Sequence, residues 1–360
     1  MRGPLTRHSL DCVIWEFTLA CNLRCSHCGS SAGRARDDEL STEEAFGVCE
    51  MLASVGCREV CLMGGEPLLR TDFVQVSKCI KQLGMKLSIV SNGVLMDRFA
   101  SRISELGPEV VGISLDGMRE SHERIRGEGT WEKALEGIDA LRRHGIQTTV
   151  ITAVSKHNYR DLPRMRELLA SRGVNWQIQT AMPFGNFSRE LTLSPEEFYA
   201  TALFIAKEGL RDRSDRMRIA GAHCYGYFSK AMPGSTWNGC TAGRSTMGMT
   251  SDGGVVGCLS MGNDRYVEGN VRDRHLRDIW NDDRSFAYTR QFKEGDLGDN
   301  CAGCRHGLKC GGGCNSVSLA LTDRFHNDPY CFRSIEKNTS GRRPWAPNHR
   351  DRPRRIPRKW

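Results

Sequence analysis

The run Val13-Ile-Trp-Glu-Phe-Thr18-Leu-Ala-Cys21-Asn-Leu-Arg-Cys25-Ser-His-Cys28 decides the reading of this chain. A β-branched and aromatic stretch reads as a strand, and three cysteines follow its carboxyl end. Three thiolates this close, with no fourth, suit a cubane [4Fe–4S] cluster that leaves one iron without a protein ligand. Zinc asks for four ligands, usually in two CxxC-like pairs. Working outward, further strands are expected at 59–63, 86–90, 110–115, 148–153 and 175–179. Amphipathic helices between them stop near Gly56, Gly84, Gly107, Gly145 and Gly173, each placed as a C′ glycine. Ser41-Thr-Glu-Glu44 reads as a capping box, and Ser194-Pro-Glu-Glu197 offers a cap, a first-turn proline and an acid at the third position. Six strand–helix units in series predict an α/β fold with a parallel sheet and right-handed crossovers, open or closed into a barrel. Ligands then belong on the loops after the carboxyl ends of the strands.

Composition bounds the alternatives. Of 360 residues, 39% are hydrophobic and 26% charged, and no apolar run approaches the length of a membrane span. Residues 1–11 hold no apolar export segment, so the 16 cysteines read first as metal ligands in a reducing cytoplasm rather than as disulfides. The formal net charge is +8, but eight Arg and Lys against Asp351 alone fall between Arg342 and Trp360. The body is thus nearly neutral, which argues against nucleic acid. A tail over 338–360, rich in Arg and Pro, is expected to be disordered. It reads as a solubility extension, a partner-binding arm or a nucleic-acid contact.

After about residue 220 the pattern changes. Gly, Asn, Asp and Cys become dense, and seven cysteines fall between 240 and 331. A region this poor in apolar residues is expected to rely on metal bonds for its stability. The layout expected is an extension over 1–11, a barrel over 12–220, a cysteine-rich domain over 221–337 and the tail.

Further motifs stand in order along the chain: Gly64-Gly65-Glu66-Pro67 after the second strand, Ser91-Asn-Gly93 after the third, Ser114-Leu-Asp-Gly117 after the fourth, then Ser121-His-Glu-Arg-Ile-Arg126. Together with CxxxCxxC they resemble the radical S-adenosylmethionine (radical SAM) superfamily, whose fold is a partial (β/α)6 barrel. Met63 stands where relatives often place Ser or Thr. The resemblance implies a [4Fe–4S] cluster on Cys21, Cys25 and Cys28, with SAM chelated at the open iron and cleaved reductively to a 5′-deoxyadenosyl radical. It implies cofactor contacts from His27, Gly64, Gly65, Glu66, Pro67, Ser114, Arg126 and Met182. Arg126 would meet the SAM carboxylate, for which a guanidinium fork is well shaped. His27 fills a position that is usually aromatic, and Met182 would line the adenine pocket. An electron donor of the flavodoxin or ferredoxin type follows.

The later cysteines, Cys240-x17-Cys258 with Gly253 between, then Cys301-x2-Cys304-x5-Cys310-x3-Cys314 and Cys331, resemble the seven-cysteine SPASM domain. Gly269-Asn-Val271 and Leu276-x2-Ile-Trp280 fit its linking segment. The resemblance implies two auxiliary iron–sulfur clusters. Cys301, Cys304, Cys310 and Cys331 would hold the distal one, and Cys240, Cys258 and Cys314 the nearer one. Thr246 stands where some relatives place a fourth ligand. The nearer cluster then has an open or non-cysteine position, or Cys224 completes it. Two zinc sites are the competing reading, but seven cysteines do not divide into two sets of four. Cysteines 12, 49, 57, 61 and 79 read as small core residues, with Cys61 near the barrel mouth.

SPASM-bearing relatives mostly modify peptides, so a peptide maturase is the leading reading. A small-molecule dehydrogenase or carbon–carbon bond-forming enzyme is the alternative, and a non-catalytic electron carrier the third. Sulfatase maturases carry Asp after the second SPASM cysteine, whereas Leu259 follows Cys258 here. The first strand begins about a dozen residues in, leaving no room for an N-terminal leader-binding module, so a separate recognition protein is one expected partner. Asp116, His122 and Glu123 are the candidate bases.

Overall fold

A computed structural model describes residues 8–211, 217–222, 225, 237–261 and 264–340. The expectation for Cys224 and most of the tail lie outside them.

Strands β1 (Cys12–Thr18), β2 (Glu59–Gly64), β3 (Lys86–Ser91), β4 (Val110–Ser114), β5 (Thr148–Val154) and β6 (Asn175–Thr180) pair in sequence order, all parallel. Helices α1 (Thr42–Ser54), α2 (Phe73–Gln82), α3 (Met96–Leu106), α4 (Arg119–Arg126), α5 (Thr130–Arg143) and α6 (Leu162–Arg172) occupy the crossovers, two of them between β4 and β5. Both predicted caps form. Ser41 and Glu44 bond each other's backbone N–H, as do Ser194 and Glu197 at the start of α7 (Pro195–Arg211). Gly107 and Gly173 end their helices in the left-handed region.

The six expected strands form in order, and the sheet continues beyond them on both sides. β7 (Ile219–Gly221) extends the sheet beyond β6, and β8 (Thr246–Met249) pairs parallel to β1 on the other side. β9 (Gly254–Val256) and β10 (Val267–Asn270) continue from β8 as an antiparallel ribbon, giving one sheet of ten strands among the described residues. The sheet therefore runs on past residue 220. The cysteine-rich part also shares the core. Met247, Val255, Leu276, Ile279, Trp280 and Phe286 are fully buried in the same cluster as Val13 and Leu52. These side chains, spread thinly along the sequence, add an apolar contribution to a region expected to draw much of its stability from metal bonds.

The two faces of the sheet differ. Along β5 and β6 buried residues alternate strictly with half-buried ones. One face, with Trp15, Leu62, Ile89, Ile113, Val150 and Ile178, packs under the helices and is fully buried. The other carries Met63, Val90, Ser114, Ile151, Ala153, Gln177 and Gln179, all half-buried. A Cβ on Gly112 would meet Ile151 and Val90, which places the three on this concave side. Parallel sheets are normally covered on both faces. A half-open inner face is room for a ligand.

Trp280, in α8 (Leu276–Asn281), donates its indole N–H to His8 O at 3.0 Å, and Arg272 grips Glu44 at 2.6 and 2.8 Å. We expect Trp280→Ala to cost about 3–5 kcal/mol in a denaturant titration, by loss of a buried aromatic. A loss under about 1 kcal/mol would show that the C-terminal part does not share the barrel core.

Candidate functional site

The cysteine loop leaves the carboxyl end of β1 and is pinned at several points. Cys21 N donates to Gly33 O (3.0 Å), Ser26 N to Ile125 O in α4 (2.9 Å), and Asn186 N to Cys28 O (2.9 Å). Cys25 is buried, while Cys21 and Cys28 are partly exposed. Cys25 lies within electrostatic reach of the other two. Burial pushes the Cys21 and Cys25 thiols up, and the Arg126 guanidinium, 3.9 Å from Cys25 Sγ, pulls the latter back.

The double glycine lies against the start of this loop. Gly65 N donates to Thr18 O and Glu66 N to Ala20 O, both at 2.8 Å. A Cβ at Gly65 would overlap the Ala20 carbonyl, and Gly64 has φ 131°. No other residue type allows this approach. Glu66 is fully buried. Its carboxylate accepts from Ser91 Oγ (3.0 Å), Asn92 N (2.8 Å) and Leu68 N (3.3 Å), and burial pushes its pKa up to about 7. That side chain is occupied in joining the turn to β3, so its backbone is the part that faces the cysteine loop. Pro67, also buried, opens a short 3-10 turn.

Asp116 sits past the end of β4 and is completely buried. Its Oδ2 accepts from Arg126 Nε (2.6 Å) and pairs with His27 Nε2 (2.8 Å), and its Oδ1 accepts from Ala153 N (2.8 Å). Burial alone would raise its pKa, but Arg126 and His27 hold the carboxyl well below the usual range. A carboxylate so engaged is a brace, not a free base. His122 is buried too. Its Nδ1 accepts from Asp116 N (3.0 Å), and burial lowers its pKa to about 4. Glu123 accepts from Gly129 N (3.0 Å). Of the implied SAM contacts, the structure gathers His27, Gly64, Gly65 and Arg126 around the cysteine loop. Ser114 stands half-buried at the end of β4, and Met182, beyond β6, packs partly against the core.

The later cysteines sort themselves into two groups by mutual charge. Cys240 feels Cys314 and Cys258, and Cys258 feels Cys314. Cys301 feels Cys331, Cys310 and Cys304. Each set is thus within electrostatic reach of its own members. Thr246 lies in β8 with its hydroxyl on that of Thr241 (3.1 Å). Tyr288, in α9 (Ala287–Arg290), was not singled out from the sequence. Its hydroxyl is buried without a hydrogen-bond partner among the described residues, and it feels the charge of Cys240 and Cys258. Cys61, within β2, is buried on the same face of the sheet as Met63, and burial pushes its thiol up to about 12.

These surroundings fit bound cofactors. Beside the first cysteine trio, His27 Nδ1 is buried and unpartnered among the described residues. Asn315 Oδ1, next to Cys314, is likewise orphaned. Buried polar atoms are normally satisfied, so each calls for a group that binds there. Among the described residues no three His, Cys, Asp or Glu side chains are placed to hold one metal ion. A cubane offers separate irons to separate thiolates and does not require that convergence.

A half-open parallel α/β sheet with a cysteine trio at the end of β1, braced on a double-glycine turn, defines a radical SAM enzyme. The Radical SAM superfamily profile matches residues 15–169, and that of the SPASM iron–sulfur cluster-binding domain matches residues 240–305. The chain belongs to the radical SAM superfamily and carries a SPASM domain. It uses SAM, a [4Fe–4S] cluster and auxiliary iron–sulfur clusters. It is 30% identical over 327 residues to the mycofactocin maturase MftC of Mycobacterium ulcerans, covering 87% of this chain and 85% of that one. It is 28% identical to the AdoMet-dependent heme synthase of Methanosarcina barkeri, over 89% of this chain and 95% of the relative. In fold it is similar to SuiB of Streptococcus suis bound to S-adenosylmethionine (TM-score 0.74, 15% identity, 90% of this chain and 78% of that one). It is also similar to anSMEcpe with bound AdoMet (TM-score 0.73, 18% identity, 92% and 98%).

Two expectations follow. Gly65→Ala forces the double-glycine turn off the loop and is expected to lower the affinity for SAM at least tenfold by equilibrium dialysis. Unchanged affinity would detach the turn from the site. His122 has its folded pKa depressed from 6.5 to about 4. The unfolded chain therefore takes up a proton that the folded one refuses, and stability should fall as pH drops through that window, by about 1 kcal/mol per pH unit. His122→Gln should flatten the unfolding free energy between these pH values, and an unaltered slope would contradict the assignment.

Proposed function

We propose that Cys21, Cys25 and Cys28 ligate the SAM-binding cluster, and that the enzyme abstracts hydrogen from a peptide. The auxiliary clusters are assigned to Cys301, Cys304, Cys310 and Cys331, and to Cys240, Cys258 and Cys314. When bound, the reduced cluster and SAM together supply a 5′-deoxyadenosyl radical. The chain's own residues orient and shield. Arg126, backed by Asp116 through Nε and 3.9 Å from Cys25 Sγ through Nη1, leaves Nη2 to meet a carboxylate. Gly65, with its N–H on Thr18 O and no side chain against the Ala20 carbonyl, keeps the turn seated on the cysteine loop. The Asp116 brace fixes His27, and with it the loop between Cys25 and Cys28.

The observation that carries the peptide reading is the inner face of the sheet. Near the cluster loop it presents Ser114, Gln177 and Gln179 among Met63, Val90, Ile151 and Ala153. Amides and small apolar groups suit the uncharged, hydrogen-bonding backbone of a peptide. The maturase relatives agree. Likeness to the heme synthase supports a second reading, a small-molecule substrate. A flavodoxin- or ferredoxin-type reductant is part of the proposal.

The readings separate by isotope. Incubation with SAM, reductant and a deuterated peptide encoded beside the gene should yield deuterated 5′-deoxyadenosine, and Cys21→Ala/Cys25→Ala/Cys28→Ala should abolish it and remove one cluster's iron and sulfide. Label transfer from a tetrapyrrole and none from the peptide would install the second reading.

A further inference from the structure

Tyr288 is fixed by its ring and its backbone, while its hydroxyl has no partner. The ring stacks on Phe325, with centroids 4.6 Å apart and planes 13° from parallel, and meets Tyr266 edge to face at 6.2 Å. The Tyr288 carbonyl is held by His326, whose Nε2 lies 2.6 Å away and whose Nδ1 lies 2.6 Å from Gly311 O. Position 257 is a glycine, and a Cβ there would overlap the Tyr288 hydroxyl. The phenol oxygen thus lies against the backbone that leads into Cys258. It is buried, and none of the described residues bonds it. Glu268 and Arg290 lie within electrostatic reach of this side chain, yet neither takes the hydroxyl.

The three thiols nearby already have partners. The backbone N–H groups of Ala242 and Asn315 donate to Cys240, that of Ser260 donates to Cys258, and Cys314 Sγ lies 3.2 Å from Ser316 Oγ. A buried hydroxyl left without a partner is costly, and native proteins rarely leave one. An iron–sulfur cluster on these thiolates brings inorganic sulfide, an acceptor that the bare chain does not have. Hydrogen bonds to cluster sulfur are one of the means by which a protein sets a reduction potential.

We propose that the Tyr288 hydroxyl donates a hydrogen bond to an inorganic sulfide of the cluster held by Cys240, Cys258 and Cys314. This rests on the cluster assignment given under Proposed function. A phenol keeps its proton at neutral pH, so Tyr288 acts as a neutral donor. Gly257 leaves the room that the hydroxyl occupies. The donated proton favours the reduced cluster, which is the more negative form, and makes it a readier acceptor of an electron from the substrate. Glu268, Arg290 and the buried Asp328, whose Oδ2 accepts from Cys314 N, surround the site. Tyr288→Phe leaves all three in place and removes one oxygen, so it isolates the hydrogen bond.

The test is pulsed EPR on the intact enzyme, loaded with its clusters in D2O and reduced. The signal of the three-cysteine cluster is identified as the one lost in Cys240→Ala/Cys258→Ala protein. In the wild-type enzyme it should carry an exchangeable deuteron coupling that Tyr288→Phe removes. An EPR-monitored redox titration should place the same cluster at a more negative potential in the Phe variant, with the other two clusters unmoved. Gly257→Ala, whose Cβ would push the hydroxyl aside, should lose the same coupling and serves if Tyr288→Phe does not load its clusters. Retention of every deuteron coupling in a loaded variant, an unmoved potential, or an equal shift of all three clusters overturns the proposal. Failure of the cluster assignment would register separately, as too little iron and sulfide in the wild-type protein.

Discussion

One buried carboxylate holds the site together. Asp116 receives hydrogen bonds from the cysteine loop through His27, from α4 through Arg126 and from β5 through Ala153 N. Leaving such a group ionised without partners would cost several kcal/mol, on the order seen for buried charges that lose their partner. Each partner must therefore be in place for the others to be tolerated. The loop that presents the three thiols is tied by this ion to the sheet with the half-open inner face. The arrangement is preorganised by electrostatics rather than by loop length.

Around that ion the backbone does the remaining work. The Ala20 carbonyl meets Gly65 with no room for a side chain, and Glu66 turns inward to lock the same turn onto β3. The result is a rim where the double-glycine turn, the cysteine loop and the Arg126 guanidinium meet, while the neighbouring carboxyl groups are occupied. Farther away, β8 pairs with β1 and carries the auxiliary cysteines into the same rigid body as the barrel. An electron leaving the substrate would thus travel between sites fixed relative to one another by one sheet.

Much of this was legible in the sequence, for physical reasons. The six central strands follow from local alternation, and both capping boxes from side chains a few residues apart, so no tertiary information was needed. The division of the late cysteines into three and four is what the family pattern implies. Strands β7 to β10 were missed because each has three or four residues, and β8 is chosen by a partner more than 200 residues away. Asp116 read as a candidate base because a titratable group past a strand end looks free until its partners are seen. His326 and Tyr288 gave no signal at all. What marks them is backbone carbonyls and an orphaned hydroxyl, which no residue spacing records.

The account turns on an iron that the three thiolates leave open to a chelating cofactor. Electron–nuclear double resonance on the reduced, anaerobically prepared enzyme, with SAM carrying nitrogen-15 in its amino group, examines that contact directly. A nitrogen-15 coupling to the cluster spin, absent from protein without Cys21, Cys25 and Cys28, is the predicted result. A reduced cluster that shows no coupling to the bound SAM would contradict it.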